Sequence, residues 1–356
     1  MSALTHPFGF RILGPCTGDR RRVDAATAFK AYCSCDAKAR VEQEAYLSAF
    51  QFGNDFAEYL ARTGSTKGFA GETWAPYLWC DVDRDEAAGG IPQALNDVRL
   101  LVDTLVETFG VPREVLLPFL SGGKGFHLGV PTSLWAPPAS ADFHAIARAF
   151  IEGIATEAKV AVDVGVFDRV RAFRAPNSRH PKTGLHKLFV PVDRLDGITV
   201  DEVLGMARQP MPFEVPSAEG VESVDFLVAE WDKASRAIVD RAAAAEQRRR
   251  ELAGGGVGGS VNALTRAFLA GDIGTGDRHR LLYSAAANLA EIGCSLPAVR
   301  ALLTDPALDL GLPPKDVSRG IDNGFARADP FVASAAELFG GTVVRVLHPE
   351  PERGEK

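Results

Sequence analysis

The chain has 356 residues, of which 46% are hydrophobic, and its formal net charge is −7 at pH 7. A chain of this length and composition is expected to bury a sizeable core and to form two domains rather than one. The acidic balance argues against a protein that coats nucleic acid without discrimination, although it is compatible with a local basic groove.

Cysteine usage and hydropathy indicate a cytoplasmic protein. The five cysteines are odd in number and scattered, and the N-terminus lacks the basic and apolar segments of a signal peptide. No apolar run approaches the roughly 20 residues of a membrane-spanning helix, so no membrane partner is expected. Cys33 and Cys35 lack the second cysteine pair of a structural zinc site, so no structural zinc is expected.

In the first 75 residues the pattern predicts helical stretches, notably residues 41–62, and shows no recognisable chemistry. Strand and helix patterns then alternate. The predicted elements are a strand at 77–83, a helix at 91–109, strands at 115–120 and 126–130, a helix at 143–155 and a short strand that ends at Asp163. This β-α-β-β-α-β order is the split βαβ arrangement, which predicts an α+β fold with one open sheet face.

The second half is predicted to be helical. Residues 221–252 have a helical pattern. Three further helices are expected: one from Asp277 to Gly293, a short one from Ser295 to Leu303, and one at about 314–326. Residues 254–260 have the composition of a flexible linker. The predicted division is a first domain at 1–250, a linker at 251–260, an all-helical domain at 261–330 and a frayed tail at 331–356.

Two carboxylates stand at the end of the first strand of the α+β segment. Asp81 and Asp83 follow a bulky apolar run, and side chains at i and i+2 of a strand point the same way. Paired carboxylates are ligands that Mg²⁺ takes when it also holds substrate phosphates. In the predicted sheet Asp163 can lie near Asp81 and Asp83 as a third metal ligand, and Asp168 is the alternative candidate for that position. The alternative is an ordinary acidic turn at a strand end.

The glycine turn SGGKGFH lies between two predicted strands. Ser121, Lys124 and His127 supply a hydroxyl, an ammonium and an imidazole. Gly122 and Gly123 allow backbone N–H groups to approach an anion, so the turn can hold a triphosphate. It is not a Walker A loop, because Lys124 is followed by glycine and then a strand. The alternative is a glycine hairpin with a surface lysine.

Basic side chains concentrate between residues 169 and 187 of this acidic chain. They are Arg169, Arg171, Arg174, Arg179, Lys182 and Lys187, joined by His180 and His186. Proline, asparagine and glycine break the segment into a shaped loop, which favours an anion site over a solvated charged face. Together with the carboxylates, this cluster predicts phosphoryl transfer.

The three motifs resemble the archaeo-eukaryotic primase superfamily, particularly its plasmid and phage primase or primase-polymerase branch. The resemblance rests on Asp-x-Asp, SGGKGFH and RAFRAPNSRHPKTGLHK, and it covers residues 70–195. It implies an RRM-like catalytic core followed by a small helical primase domain. It also implies that Asp81, Asp83 and Asp163 hold two Mg²⁺ or Mn²⁺ ions.

The resemblance extends to the nucleotide site. Ser121 and His127 match residues that hold the phosphates of the incoming nucleotide, His180 and Lys182 match a nucleotide-contacting element, and Arg174 matches an arginine before a proline. With the glycine turn, the expected nucleotide-binding residues are Ser121, Gly122, Gly123, Lys124, His127, Arg174, His180 and Lys182. The expected DNA contacts are Arg171, Arg179 and Lys187.

The implied activity is template-dependent nucleotidyl transfer that makes or extends primers on single-stranded DNA from NTPs or dNTPs, for replication of a mobile element. The cysteine cluster of the archaeal and eukaryotic catalytic subunits is missing, and so is a P-loop, which makes a replicative helicase an expected partner. The alternatives are a gap-filling repair polymerase, a non-catalytic single-strand-binding replication-initiation module and a metal-dependent nuclease.

Overall fold

The computed structural model describes residues 5–253, 261–271, 273, 277–310, 312 and 314–328. The chain separates into two compact units, residues 1–241 and 242–356. Over the described residues the protein is a mixed α+β structure with antiparallel sheets. None of the helices in these ranges is both long enough and apolar enough to cross a membrane.

The elements described in the two units have the following bounds. The strands are β1 (Phe8–Leu13), β2 (Arg21–Asp24), β3 (Ala45–Ser48), β4 (Gln51–Phe52), β5 (Thr73–Trp74), β6 (Tyr77–Asp83), β7 (Leu117–Leu120), β8 (Gly125–Pro131), β9 (Ala172–Arg174) and β10 (Leu188–Phe189). The helices that begin in the first unit are α1 (Ala25–Cys33), α2 (Asn54–Thr63), α3 (Gly90–Glu107), α4 (Phe143–Glu157), α5 (Val192–Leu195), α6 (Val200–Met206) and α7 (Asp225–Ala253). The helices of the second unit are α8 (Ala263–Leu269), α9 (Arg278–Glu291), α10 (Leu296–Asp309) and α11 (Pro314–Ala328).

The sheet that carries the carboxylates has the antiparallel strand order β10-β7-β8-β6. α3 packs against β6 and β8, and α4 packs against β6. The helix predicted at 91–109 is confirmed as α3, and Val98, Leu101 and Leu105 form a fully buried apolar stripe along it. This apolar layer supports the strand from which the carboxylates project.

The predicted strand that ends at Asp163 is wrong. The Asp163 N–H donates to the Asp81 carbonyl at 2.8 Å, so the segment runs beside β6, but this pairing is too short to make a strand. The chain turns at once into a 3₁₀ helix, Val164–Phe167, which the Asp163 carboxylate caps through the Gly165 N–H at 2.8 Å. The apolar pattern before Asp163 suggests a strand, but this cap starts a 3₁₀ helix and ends the extended segment at Asp163.

The N-terminal residues form a second sheet where the sequence pattern predicts helix. β3 and β4 precede α2, so only the last part of the predicted 41–62 helix is helical. The four residues of β3 alternate between buried and half-buried side chains, a pattern too short to distinguish from a helical one. β9 pairs with β3 and places Arg174 opposite Tyr46, which anchors the basic segment in this sheet.

The described part of the second unit consists of helices around an apolar core. The helix predicted to run from Ser295 to Leu303 is longer, because α10 continues to Asp309 and accommodates Pro306 in its interior. The predicted linker begins inside α7, and its residues 254–260, like the predicted tail at 331–356, lie outside the described residues.

Candidate active site

β6 ends in two carboxylates that share one face of the sheet. Side chains alternate along a strand, so Trp79, Asp81 and Asp83 lie on the same face. Asp81 pairs with His127 of β8, and Asp83 pairs with Gly125. This register places the carboxylates beside the glycine turn that joins β7 to β8.

The Asp81 carboxylate is shielded from solvent. Its side chain is 15% exposed, and its Oδ1 atom has no hydrogen-bond partner in the described part of the chain. His127 Nε2 lies 3.4 Å from that oxygen without hydrogen-bond geometry. Burial raises the pKa of Asp81 to about 7, and the negative charges of Asp83 and Asp163 add to the shift. A shielded carboxylate with a free oxygen is suited to a cation.

Asp163, rather than its competitor Asp168, is the third carboxylate near Asp81. The charge of Asp163 raises the pKa of Asp81, whereas Asp168 lies near Arg20 and Arg169 instead. Among the residues that the structure describes, no three His, Cys, Asp or Glu side chains are arranged to hold a metal ion. Carboxylate oxygens are donors that Mg²⁺ and Mn²⁺ take. The described residues nevertheless form no preformed three-ligand cage around them.

The glycine turn presents a hydroxyl and an ammonium next to the carboxylates. Gly122 has a φ of +78°, a conformation that favours glycine. The Gly123 N–H donates to Ser121 Oγ at 3.2 Å. The exposed Lys124 ammonium lies 3.5 Å from Asp83 Oδ2. The local backbone therefore needs glycine where the turn approaches the rest of the site.

The segment that begins at His180 docks onto this turn. The Thr183 hydroxyl donates to the Gly122 carbonyl at 2.5 Å, and a Cβ added at Gly123 would lie 3.2 Å from His180 Nε2. His180 Nδ1 accepts the N–H groups of Lys182 and Thr183 at 3.2 and 3.3 Å, so Nε2 carries the proton of the neutral ring. Burial lowers the pKa of His180 and favours that neutral form. Two motifs distant in sequence thus form one donor-rich surface.

His127 is a buried neutral imidazole at the inner end of the site. It is 5% exposed, its ring lies 4.4 Å from the Phe173 ring between centroids, and Nδ1 has no hydrogen-bond partner among the described residues. Burial, together with the charges of Lys187 and Arg174, lowers the pKa of His127 well below its usual value. A neutral imidazole can donate through one nitrogen and accept through the other.

Lys187 does not lie where a DNA contact would, which corrects the expectation from the sequence. It is 1% exposed, and its ammonium donates to the Arg174 carbonyl at 3.0 Å. Three ring centroids lie 4.3 to 4.8 Å from the ammonium; the rings are those of Trp79, Phe119 and Phe173. Burial lowers the pKa of Lys187 to about 7, and the charge of Asp81 opposes this shift.

The remaining predicted residues divide by exposure. Arg171, Arg179 and Lys182 are exposed. Arg174 is half-buried against Tyr46, because its guanidinium donates to the Tyr46 hydroxyl at 3.2 Å and lies 5.0 Å from the ring centroid. The aromatic rings around Lys187 were missed. Their only signal in the sequence was the position of Trp79, two residues before Asp81 on the same strand.

Comparisons with known proteins are sparse. No family model matches the chain, and no curated protein matches it. Among solved structures, the chain is similar to one titled "Crystal structure of primase RepB'", with 14% sequence identity and a TM-score of 0.35 over 95% of this chain and 96% of that one. A likeness at this level does not establish a fold or a function, so the function is argued from the site.

Proposed function

We propose that the chain is a template-dependent nucleotidyltransferase that makes or extends primers on single-stranded DNA, with an RRM-like catalytic core. The observation that carries the proposal is the meeting of three motifs: the Asp81 and Asp83 pair, the glycine turn beside it, and the His180 segment docked on that turn. Carboxylates beside a donor-rich turn are the combination that phosphoryl transfer from a nucleoside triphosphate requires.

The carboxylates Asp81, Asp83 and Asp163 would hold divalent cations. Mg²⁺ or Mn²⁺ supplies activation of the attacking 3′-hydroxyl and neutralisation of the leaving pyrophosphate. The Oδ1 atom of Asp81 supports this assignment, because it has no hydrogen-bond partner among the described residues and a cation would provide one.

The triphosphate would lie across the glycine turn. Its expected partners are the Ser121 hydroxyl, the N–H groups of Gly122 and Gly123, the His180 Nε2–H, neutral His127, and the cations Lys124, Lys182 and Arg174. Both lysines are exposed, so their flexible side chains can reach a phosphate that has entered the site. Hydrogen bonds from charged donors to phosphate are short and about twice as strong as neutral ones.

Template binding completes the proposal. Arg171 and Arg179 are exposed and are the candidates for contacts with DNA phosphates. We place the catalytic domain at residues 1–250 and assign residues 261–330, the domain predicted to be helical, to the template or the initiating nucleotide. A replicative helicase would open the duplex during replication of a mobile element.

The test is incubation of the full chain with labelled NTPs or dNTPs, Mg²⁺ or Mn²⁺, and unprimed, primed or gapped single-stranded DNA. New short products on the unprimed strand are the expected result. Extension confined to gapped DNA would indicate a repair polymerase, and shortening of the strand would indicate a nuclease. Binding of the strand without any incorporation would contradict the proposal and indicate a non-catalytic module.

A further inference from the structure

A cavity of about 260 Å³ lies within the first unit, next to the candidate active site. Small-molecule sites usually span about 300–1,000 Å³, so this cavity lies just below that range and suits only a small ligand. Six aromatic side chains line it: Phe10, Phe29, Trp74, Tyr77, Trp79 and Phe173. Cavities with such walls present flat apolar faces for a planar ring.

The cavity shares a wall with the active site. Trp79 and Asp81 lie on the same face of β6, and Phe173 packs on His127 with 4.4 Å between ring centroids. Lys187 lines the cavity, and its charge acts on both Asp81 and His127. A ligand in the cavity would therefore touch residues that pack directly against the site.

The polar groups of the wall are few and varied. Gln51 brings an amide that can both donate and accept, and Ser48 brings a hydroxyl. Arg174 and Lys187 bring cationic groups at the same wall. Stacking faces with a few hydrogen-bonding groups match a nucleobase, which has two π-faces and an edge of donors and acceptors.

We propose that this cavity binds one nucleobase, stacked between the aromatic walls, beside the triphosphate site, with which it shares Arg174. The choice of a nucleobase rests on the proposed function. The base can belong to a free nucleoside or nucleotide, or to one residue of the single strand, since both present the same ring.

The experiment is a titration of the full chain with ligand in the absence of divalent cations. Quenching of tryptophan fluorescence is the signal that reports binding. Trp74 and Trp79 line the cavity, so a stacked base reports directly. The ligands are adenosine and guanosine, a short single-stranded oligonucleotide, and the same oligonucleotide with abasic positions. Ala26→Phe places a ring at the cavity wall from the exposed first turn of α1, and Thr27→Phe is the matched control, because Thr27 is exposed and does not line the cavity.

We expect saturable quenching in the wild type. Ala26→Phe should lower the affinity for the ligand at least tenfold, and Thr27→Phe should leave the affinity unchanged. Binding of free nucleosides would assign the cavity to a mononucleotide. Binding of the intact oligonucleotide but not of its abasic counterpart would assign it to a base of the single strand. Absence of saturable binding, equal affinity in Ala26→Phe, or equally tight binding of indole would overturn the proposal. The titration contains no metal, so base binding can be observed even if the protein fails to incorporate nucleotides. Conversely, normal incorporation without base binding would contradict the cavity proposal and leave the proposed function intact.

Discussion

Two buried polar clusters, one in each unit, differ in their hydrogen bonding. In the second unit, Asn288 Oδ1 accepts the Thr265 hydroxyl and the Asn262 N–H, each at 3.0 Å. In the first unit, Asp81 Oδ1 and His127 Nδ1 are buried and have no hydrogen-bond partner within the described residues. A satisfied buried network stabilises a fold, whereas an unsatisfied one costs stability. The difference supports the proposed chemical role of Asp81 and His127 and a structural role of Asn288.

The direction of the pKa shifts agrees with this contrast. Burial raises the pKa of Asp81 to about 7 and lowers the pKa of Lys187 to about 7, and it lowers the pKa of His127 as well. Each shift favours the neutral form of its group, as desolvation requires. The cluster is therefore poised to change charge when an anion or a cation enters.

The largest expected effect is on the carboxylate pair. Asp83→Asn should lower nucleotide incorporation at least about 10³-fold, because it removes a proposed metal ligand from the strand end. The control is Asp85→Asn, since Asp85 is exposed and its cap to the Ala88 N–H can be kept by asparagine. Incorporation and single-strand binding are measured for both proteins. An equal loss of incorporation in Asp83→Asn and Asp85→Asn would contradict a specific role of Asp83 as a metal ligand.

His127→Gln should weaken binding of a nonhydrolysable triphosphate by roughly 10- to 100-fold, the usual effect of one hydrogen bond to a charged group. Binding of single-stranded DNA should not change. Isothermal titration measures both affinities. His144→Gln is the control, because the buried His144 Nδ1 also has no hydrogen-bond partner in the part of the chain that the structure describes, but His144 lies on α4. An unchanged triphosphate affinity in His127→Gln would place the phosphates elsewhere.

Asn288→Ala tests the other side of the comparison. It should lower the free energy of unfolding by about 1–3 kcal/mol, because the buried Thr265 hydroxyl and the Asn262 N–H lose their acceptor. Asn323→Ala, on the exposed surface of α11, should change it by less than about 0.5 kcal/mol. Denaturant unfolding of the full chain measures both. Equal stability of the two variants would deny the structural role of the Asn288 network.

The smallest expected effect is on pH dependence. Protons compete with a cation for Asp81, whose pKa of about 7 lies far above that of an ordinary carboxyl. At metal concentrations below saturation, incorporation should therefore rise as pH increases through about 7. Lys187→Met should move this midpoint upward, because the lysine charge lowers the pKa of Asp81. A midpoint near pH 4 would contradict the shielded environment.

The parts of this structure that the sequence predicted are those with local patterns. The strand Tyr77–Asp83 follows from one bulky apolar run, and the buried stripe of α3 follows from a period of 3.6. The N-terminal sheet could not be predicted in this way, since its strands are short and β3 pairs with β9 more than a hundred residues further on. Pairing of that kind depends on tertiary contacts that no local window contains.

Lys187 shows the same limit at the site. A lysine in a basic segment is ordinarily exposed, and its burial here depends on Trp79, Phe119 and Phe173 from three separate strands. The meeting of the His180 segment with the glycine turn was likewise a matter of tertiary structure. Sequence reasoning identified both motifs but could not show that Thr183 bonds to Gly122.

The most direct test of the central claim is to measure incorporation and unfolding of Asp81→Asn in parallel at pH 8. Above a pKa of about 7 the buried Asp81 is ionised, and its raised folded-state pKa means that stability is lost as pH rises through that value. The amide removes this cost while keeping the shape. We expect at least about 10³-fold lower incorporation, with a free energy of unfolding no lower than that of the wild type. Wild-type incorporation per folded molecule, with clearly lower stability, would contradict it.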